Sequence, residues 1–384
     1  MKLGIFTQPL HNNYGGLLQC FALQTVLKRM GHDAVVVRRD YASRNYSFYH
    51  KSIRFIKNII RVCIGRRWAK NITLEQWNHI GQHTHQYFVK KYIQPHTELL
   101  VTNSELKSYI SKNHFDGYVV GSDQVWRPQY SPCITNYFLD FAENADVRRV
   151  AYAASFGVDE WEFSADITLR CAQLAQKFDA VSVREASAVG LCNQYLGVDA
   201  LHVLDPTMLL EKEDYIAIVE AEKEPKSEGN LFCYVLDKAV EKDEAIARVA
   251  DSLHLQPFTC MPSLNASFDN LRKDIDACVF PPVTRWLRGF MDADMVITDS
   301  FHGCAFSIIF NKPFWVIGNV ARGMARFHSL LSIFGLESRL LDVNNLANVD
   351  WQSPIDWDKV NAIKHDWQEK SREFLKGITK NRYN

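Results

Sequence analysis

The chain is 384 residues long, more than one hydrophobic core normally organises, so two domains are expected. Hydrophobic residues at 47% and charged residues at 23% are the proportions of an ordinary globular protein and exclude a disordered or fibrous chain. Lys plus Arg and Asp plus Glu are equal at 44 each, which excludes a whole-molecule basic field for nucleic acid.

The chain opens on a strand pattern, Leu3-Gly4-Ile5-Phe6-Thr7. Pro9 to Gly16 form a polar turn, and Leu17 to Met30 carry apolar residues at helical spacing until Gly31 stops them. Ala34 to Val37 return as a strand of the fully buried kind, completing a βαβ unit that belongs to a mostly parallel sheet. A basic start followed by a long apolar leader is not the pattern here, and no apolar run is long enough for a bilayer. Neither export nor a spanning helix is therefore expected. The nine cysteines stand singly, without a Cys-x-x-Cys pair. That is the usage of reduced thiols in a cytosolic protein rather than of a disulfide framework or a zinc knuckle.

Tyr41 to Leu74 contain no acid, and set Arg54, Lys57, Arg61, Arg66 and Arg67 among apolar residues at helical spacing. Two readings stand: a helix lying on an anionic membrane surface, or a solvated insertion helix whose apolar stripe packs on the first domain. His79, His83 and His85 lack a carboxylate at zincin spacing, so a solvated helix face is expected and no metal site. Trp68, Trp77 and Trp161 read as core or interface; Trp126 alone stays open as a sugar platform.

Strands resume at Asp116–Val120, Arg149–Ala154, Ala180–Val183 and Leu201–Leu204, with helices from Ser164 to Phe178 and up to Leu196. Pro206 interrupts this pattern, which places the first domain at 1–208, with a basic helical insertion near 41–95, and the second at 209–350. Strands at Leu231–Leu236, Pro257–Cys260, Met295–Thr298 and Phe314–Ile317 alternate there with helices at Glu241–Leu253, Arg285–Ala293 and Cys304–Phe310. The remaining 351–384 carry an amphipathic helix, Trp357 to Ile378. Two open α/β sheets in tandem place ligands at the carboxyl ends of the strands, facing the cleft between them.

Three stretches at such strand ends carry candidate chemistry. Val296 to Gly303 deliver His302 to a helix start, where free N–H groups attract an anion and an imidazole can give a proton. The same residues are also consistent with Asp299 or Ser300 as a plain cap and His302 as a satisfied buried residue. Asn13, Tyr14, Gly15 and Gly16 form a loop at a helix start where backbone can approach a ligand, or a plain strand-to-helix turn. Asp123 and Gln124 end a buried strand and suit sugar hydroxyls, with Asp123 as base, or a capped loop.

The motifs in order settle more than any one of them. His11-Asn12-Asn13-Tyr14-Gly15-Gly16-Leu17-Leu18-Gln19, Gly121-Ser122-Asp123-Gln124-Val125-Trp126, Ser182-Val183-Arg184-Glu185, Leu204-Asp205-Pro206-Thr207 and Thr298-Asp299-Ser300-Phe301-His302-Gly303 resemble the polysaccharide pyruvyl transferase family, as do Asn311-Lys312-Pro313 and Arg322 to Phe327. The resemblance covers nearly the whole chain. It implies two Rossmann-like domains facing a cleft, similar to the GT-B glycosyltransferases, with the C-terminal helix crossing back to the first domain. It also implies transfer of a pyruvyl group from phosphoenolpyruvate to a sugar diol, giving a ketal and phosphate. Such chemistry calls for a general acid, cations for phosphate and carboxylate, and a base; it calls for no redox cofactor and no obligatory metal.

On that resemblance His302 is the acid and Arg184 a donor-binding residue, with Ser300 and Gly303 at the same helix start; read without it, Arg184 is equally an ion pair with Glu185 or a neighbouring helix. Members of the family tend to carry Arg two residues before the His, where Ser300 stands here, so the second cation is expected from Arg322 or Arg326. Asn13, Tyr14, Gly15, Gly16 and Gln124 fall to the acceptor. The expected partners are a small-molecule donor and a glycan or lipid-linked acceptor, without nucleic acid, in a cytoplasmic protein with peripheral contact to the inner face of the membrane. The alternatives are a nucleotide-sugar glycosyltransferase and a non-catalytic glycan-binding protein.

Overall fold

The computed structural model describes residues 1–41, 72–318, 324–342 and 349–377. The basic stretch from Lys51 to Lys70, and Trp68 within it, lie outside them. Two parallel sheets organise the rest. The first has six strands, β1 (Lys2–Phe6), β2 (Asp33–Val36), β3 (Gly117–Val120), β4 (Arg148–Ala154), β5 (Ala180–Val183) and β6 (Leu201–His202), in the order β2-β1-β3-β4-β5-β6. The second has five, β7 (Leu231–Tyr234), β8 (Pro257–Phe258), β9 (Met295–Thr298), β10 (Phe314–Ile317) and β11 (Leu340–Leu341), in the order β11-β10-β9-β7-β8.

Strands β3, β7, β9 and β10 are short runs buried along their whole length, as parallel strands covered on both faces are. Leu3, Ile5 and Phe6 of β1 and Val296 and Ile297 of β9 have no exposed surface. In each sheet the chain leaves one strand in one direction and later returns to its other side. These reversals fall between β1 and β3 and between β7 and β9. At such a switch point the loops beyond neighbouring strand ends diverge and leave a crevice.

Both critical helices start earlier than their sequence suggests. Helix α1 spans Tyr14–Arg29, so Gly15 and Gly16 are helical and Asn13 is the N-cap. The helix after β9 spans Phe301–Ile309, which puts His302 inside its first turn rather than in a turn before it. Glycine disfavours helix in isolation, but here the missing side chains permit contacts that any larger residue would block. The segment between β2 and β3 holds the helix Leu74–Ile80 within the expected helical insertion, and a further one, Asn103–Lys112, that the periodicity did not show. Each begins with a reciprocal capping box, Thr73 with Gln76 and Thr102 with Glu105.

The halves are joined by a continuous core. The Tyr14 ring stacks on Trp286 at 5.8 Å, and its hydroxyl donates to the Pro281 carbonyl at 2.9 Å. The C-terminal helix, Trp357–Lys376, lies against the end of the first sheet. Ser371 Oγ accepts from Leu204 N at 3.1 Å, and Gln368 Nε2 donates to the Met208 carbonyl at 2.8 Å. Trp286 is fully buried between Tyr14, Phe290 and Phe306. Trp286→Ala should therefore cost about 3–5 kcal/mol in urea unfolding, the range for truncating a large buried aromatic. A loss below about 1 kcal/mol would mean that this junction does not hold the halves together.

Candidate active site

A cavity of 380 Å³ opens where the two switch points meet. Gln8 and Pro9 follow β1, Asp123 and Gln124 follow β3, Leu236 follows β7, and Asp299 and Ser300 follow β9, and all of them line it. His11 and Asn13 complete the wall of the first half, with Tyr41 and Tyr130 beside them; Phe301, His302 and Arg326 complete that of the second. Asp299 is held by its own half, accepting from Leu236 N at 2.7 Å, Asp237 N at 3.1 Å and Lys242 Nζ at 2.6 Å. It fixes the loop after β7 to the end of β9.

His302 is placed by two glycines. A Cβ at Gly303 would overlap Thr298 Oγ1, so only glycine lets this helix start directly on the end of β9. A Cβ at Gly15 would overlap the His302 imidazole, so only glycine lets α1 of the first half press against it. The ring is 5% exposed. Its Nε2 lies 3.7 Å from Asp205 Oδ2, within ion-pair reach but beyond a hydrogen bond, and has no hydrogen-bond partner among the described residues. Ser300 and Asn13, the two N-caps, make no side-chain capping bond among the described residues, and both line the cavity.

Arg184 does not line the cavity. Its guanidinium is buried behind the wall, where Nη1 donates to Asp205 at 2.9 Å, Nη2 to Asp123 at 3.3 Å and to Ser155 Oγ at 3.2 Å, and Nε to Glu185 at 3.4 Å. The Phe301 ring covers it, with the guanidinium carbon 4.3 Å from the ring centroid. Burial alone would favour neutral Arg184, but Glu185, Asp123 and Asp205 outweigh it and raise its proton affinity further. Arg184, expected at the donor, is here a buried ionic hub whose fork is occupied by three carboxylates. Burial would likewise raise the Asp205 carboxyl; His302 and Arg184 reverse this and hold it well below the usual carboxylate range.

The remaining candidates divide. Arg326 lines the cavity, and its pKa is pushed down to about 10 by burial and then by Arg184. Arg322 lies outside the described residues. Asp123, with φ +66°, presents its carboxylate both to the cavity and to Arg184. Gln124 reaches the cavity, while its side-chain oxygen accepts from Arg127 at 3.2 Å. Tyr14 is buried at the junction of the halves, Gly15 lies under His302 and Gly16 against Asn13. None of these three, nor Gly303, lines the cavity; Tyr14, Gly15 and Gly16, expected at the acceptor, pack at the junction of the halves.

Other expectations also move. Trp126 is fully buried, stacked on Phe138 and donating to the Tyr137 carbonyl, so it is core and no sugar platform. His85 is buried on Trp77 with Nδ1 at 2.9 Å from Asn12, and His79 pairs with Asp276 at 2.7 Å, so these histidines do not share one solvated face. Among the described residues no group of three or more His, Cys, Asp or Glu could hold a metal, and no helix is long and apolar enough to cross a membrane. Gln8, Asp205 and Asp299 were missed as site residues, although Asp205 and Asp299 sit directly after strand patterns, where the switch-point rule points.

A family model described as polysaccharide pyruvyl transferase covers residues 13–319. The chain belongs to the polysaccharide pyruvyl transferase family. No curated relative matches it in sequence. Among solved structures it is similar to the UDP-GlcNAc 2-epimerase from Neisseria meningitidis bound to UDP-GlcNAc, at 9% identity, TM-score 0.51, covering 98% of this chain and 99% of that one. The UDP-GlcNAc 2-epimerase from Methanocaldococcus jannaschii is 12% identical, with TM-score 0.51 over 98% of this chain and 100% of that one. A glycosyltransferase from Rickettsia africae ESF-5 is 11% identical, with TM-score 0.47 over 99% and 98% of the two chains. At these identities the likeness is one of fold, the GT-B arrangement of two Rossmann-like domains around a cleft.

The ionic hub makes stability depend on charge balance. Arg184→Met should destabilise this pyruvyl transferase family member by about 3–5 kcal/mol, because it leaves buried carboxylates unpaired. The depressed Asp205 carboxyl contributes stability that is fully present above its unfolded value of about 4 and is lost as pH falls below it. Urea midpoints taken from pH 6 down to pH 3 should therefore fall less steeply for Asp205→Asn than for the unmodified protein. Parallel slopes would deny Asp205 its place in the balance.

Proposed function

We propose that this pyruvyl transferase family member moves the pyruvyl group of phosphoenolpyruvate onto two hydroxyls of a hexose, in a surface polysaccharide or its lipid-linked precursor. A ketal forms and inorganic phosphate leaves. The observation that carries the reading is His302, an imidazole at the first turn of a helix, with Arg326 on the same cavity and hydroxyl-binding groups opposite.

The chemistry follows from that arrangement. Protonation of the enol carbon C3 by His302 leaves a cationic C2, one hydroxyl adds there, phosphate departs, and the second hydroxyl closes the ketal. Of the two hydroxyl protons, one restores the acid and the other leaves with phosphate. Arg326 and the N–H groups behind Ser300 would hold the donor anion. Asp123 and Gln124 suit the hydroxyls, Asp123 taking the proton of each attacking oxygen in turn and passing the first to the departing phosphate and the second to His302. Arg184 acts on the acceptor only through Asp123, which it orients.

The same cavity gives no equal support to a nucleotide-sugar donor. Ribose hydroxyls call for a carboxylate near the second-half helix start, and Asp299 there is already engaged by Leu236, Asp237 and Lys242. Phosphate release from phosphoenolpyruvate should appear only with certain acceptor hexoses, free, nucleotide-linked or lipid-linked, and the product should carry acid-labile pyruvate. His302→Gln should lower turnover about a hundredfold or more with the protein folded. Arg326→Gln should raise the Michaelis constant for phosphoenolpyruvate at least about tenfold, the loss of one charge-assisted contact. Breakdown of a nucleotide sugar without any consumption of phosphoenolpyruvate would overturn the proposal.

A further inference from the structure

His302 belongs to the second half of the molecule, and besides Phe301 beside it the ring meets two residues of the first. Gly15 at the start of α1 packs on the ring beside Nδ1 and Cγ. Asp205, beyond β6, faces Nε2 at 3.7 Å. The Asp205 side chain has no exposed surface and cannot swing away. Its Oδ1 accepts from Thr207 N at 3.0 Å and Thr207 Oγ1 at 2.8 Å, and its Oδ2 accepts from Arg184 at 2.9 Å and Ser122 Oγ at 3.2 Å. His302 Nε2 is sealed from solvent and finds no hydrogen-bond partner among the described residues, which is costly unless that nitrogen is used. A buried carboxylate aimed at a buried, unpartnered imidazole nitrogen fixes which nitrogen carries the hydrogen, and so the tautomer of the neutral ring.

We infer that Asp205 is the positioning residue for His302. Its carboxylate draws the Nε2 hydrogen towards the first half, and the proton that His302 exchanges in the cavity is therefore the one on Nδ1. The inference rests on the proposed reaction for what that proton does. In it, the Nδ1 proton of the imidazolium passes to C3 of phosphoenolpyruvate, and the ring is left as the neutral tautomer with hydrogen on Nε2, facing Asp205. The other charged groups around the ring do not compete for Nε2. Arg184 is turned to its three carboxylates, Asp299 to Lys242 and the loop after β7, and Asp123 to Arg184, while Arg326 carries no acceptor.

The test reads the tautomer directly, in the full chain labelled with ¹⁵N-histidine, at a pH where the ring is neutral. The His302 signals are assigned by their loss in His302→Gln. The unmodified protein should show hydrogen on Nε2, and Asp205→Asn should lose that preference. In the same variant kcat should fall at least about a hundredfold, with the Michaelis constant for phosphoenolpyruvate within about twofold, and Asp205→Glu should recover part of the loss. Hydrogen on Nδ1 in the unmodified protein overturns the inference, and so does an Asp205→Asn protein with kcat within a factor of three or so. The labelled spectrum needs no substrate, so it stands if Asp205→Asn misfolds. A protein with hydrogen on Nε2 that consumes no phosphoenolpyruvate supports the pairing and overturns only the reaction.

Discussion

The buried guanidinium of Arg184 is the interaction on which the cavity depends. It follows β5 and gathers Asp123 from beyond β3, Ser155 from beyond β4 and Asp205 from beyond β6. Loops at the carboxyl ends of four neighbouring strands are thus pinned to one side chain. Bringing an ion there from water is expensive by several kcal/mol, and only a set of well-aimed opposite charges offsets it. The geometry is accordingly rigid: moving any one loop would expose a charge to a medium that cannot solvate it. Phe301 covers the guanidinium face and carries the constraint into the second half, one residue from His302.

A second consequence concerns motion between the halves. The largest hydrophobic cluster runs without a break from Tyr14, Leu17 and Leu18 of α1 through Trp286 and Phe306 to Leu375 of the C-terminal helix. Polar ties reinforce it, with Arg29 paired to Asp214 at 2.6 Å and Ala186 N donating to Ser329 Oγ at 3.0 Å. Opening the cleft at this edge would expose that core. His302 is therefore held against the first half by packing, which is what lets a residue of one sheet complete a site built on the other.

Much of this was legible in the sequence, and the failures have physical causes. β5, β9 and β10 lie where unbroken apolar runs place them, because a buried parallel strand needs nothing else to be recognised. The motif around His302 was legible for the same reason: a strand pattern delivers it to a helix start. The helix starts at Tyr14 and Phe301 were misplaced because Gly15 and Gly303 read as breakers locally, while the reasons for them, His302 and Thr298, are contacts in space. For Arg184 an ion pair with the adjacent Glu185 was legible beside a donor-binding role, but its partners Asp123 and Asp205 lie 61 and 21 residues away along the chain. Spacing alone cannot reveal a charge cluster assembled by tertiary structure.

The hub also bears on how the site manages with Ser300 where the family tends to carry Arg. One guanidinium among Asp123, Glu185 and Asp205 leaves the cluster with more negative than positive charge, directly behind the place an anionic donor would occupy. Arg326 is attracted by Asp123 and Glu185 and repelled by Arg184, so it sits at the boundary between this cluster and the cavity. Its charge screens the carboxylates from the cavity while facing it. A serine at position 300 contributes no charge, but it makes no capping bond of its own among the described residues, so the backbone N–H groups of the His302 helix keep their attraction for an anion. A cation fixed at position 300 would add attraction at the same helix start; without it, Arg326 and the helix end are what the described residues offer an anion. Among the described residues the positive potential at the cavity comes from Arg326 and the start of the His302 helix.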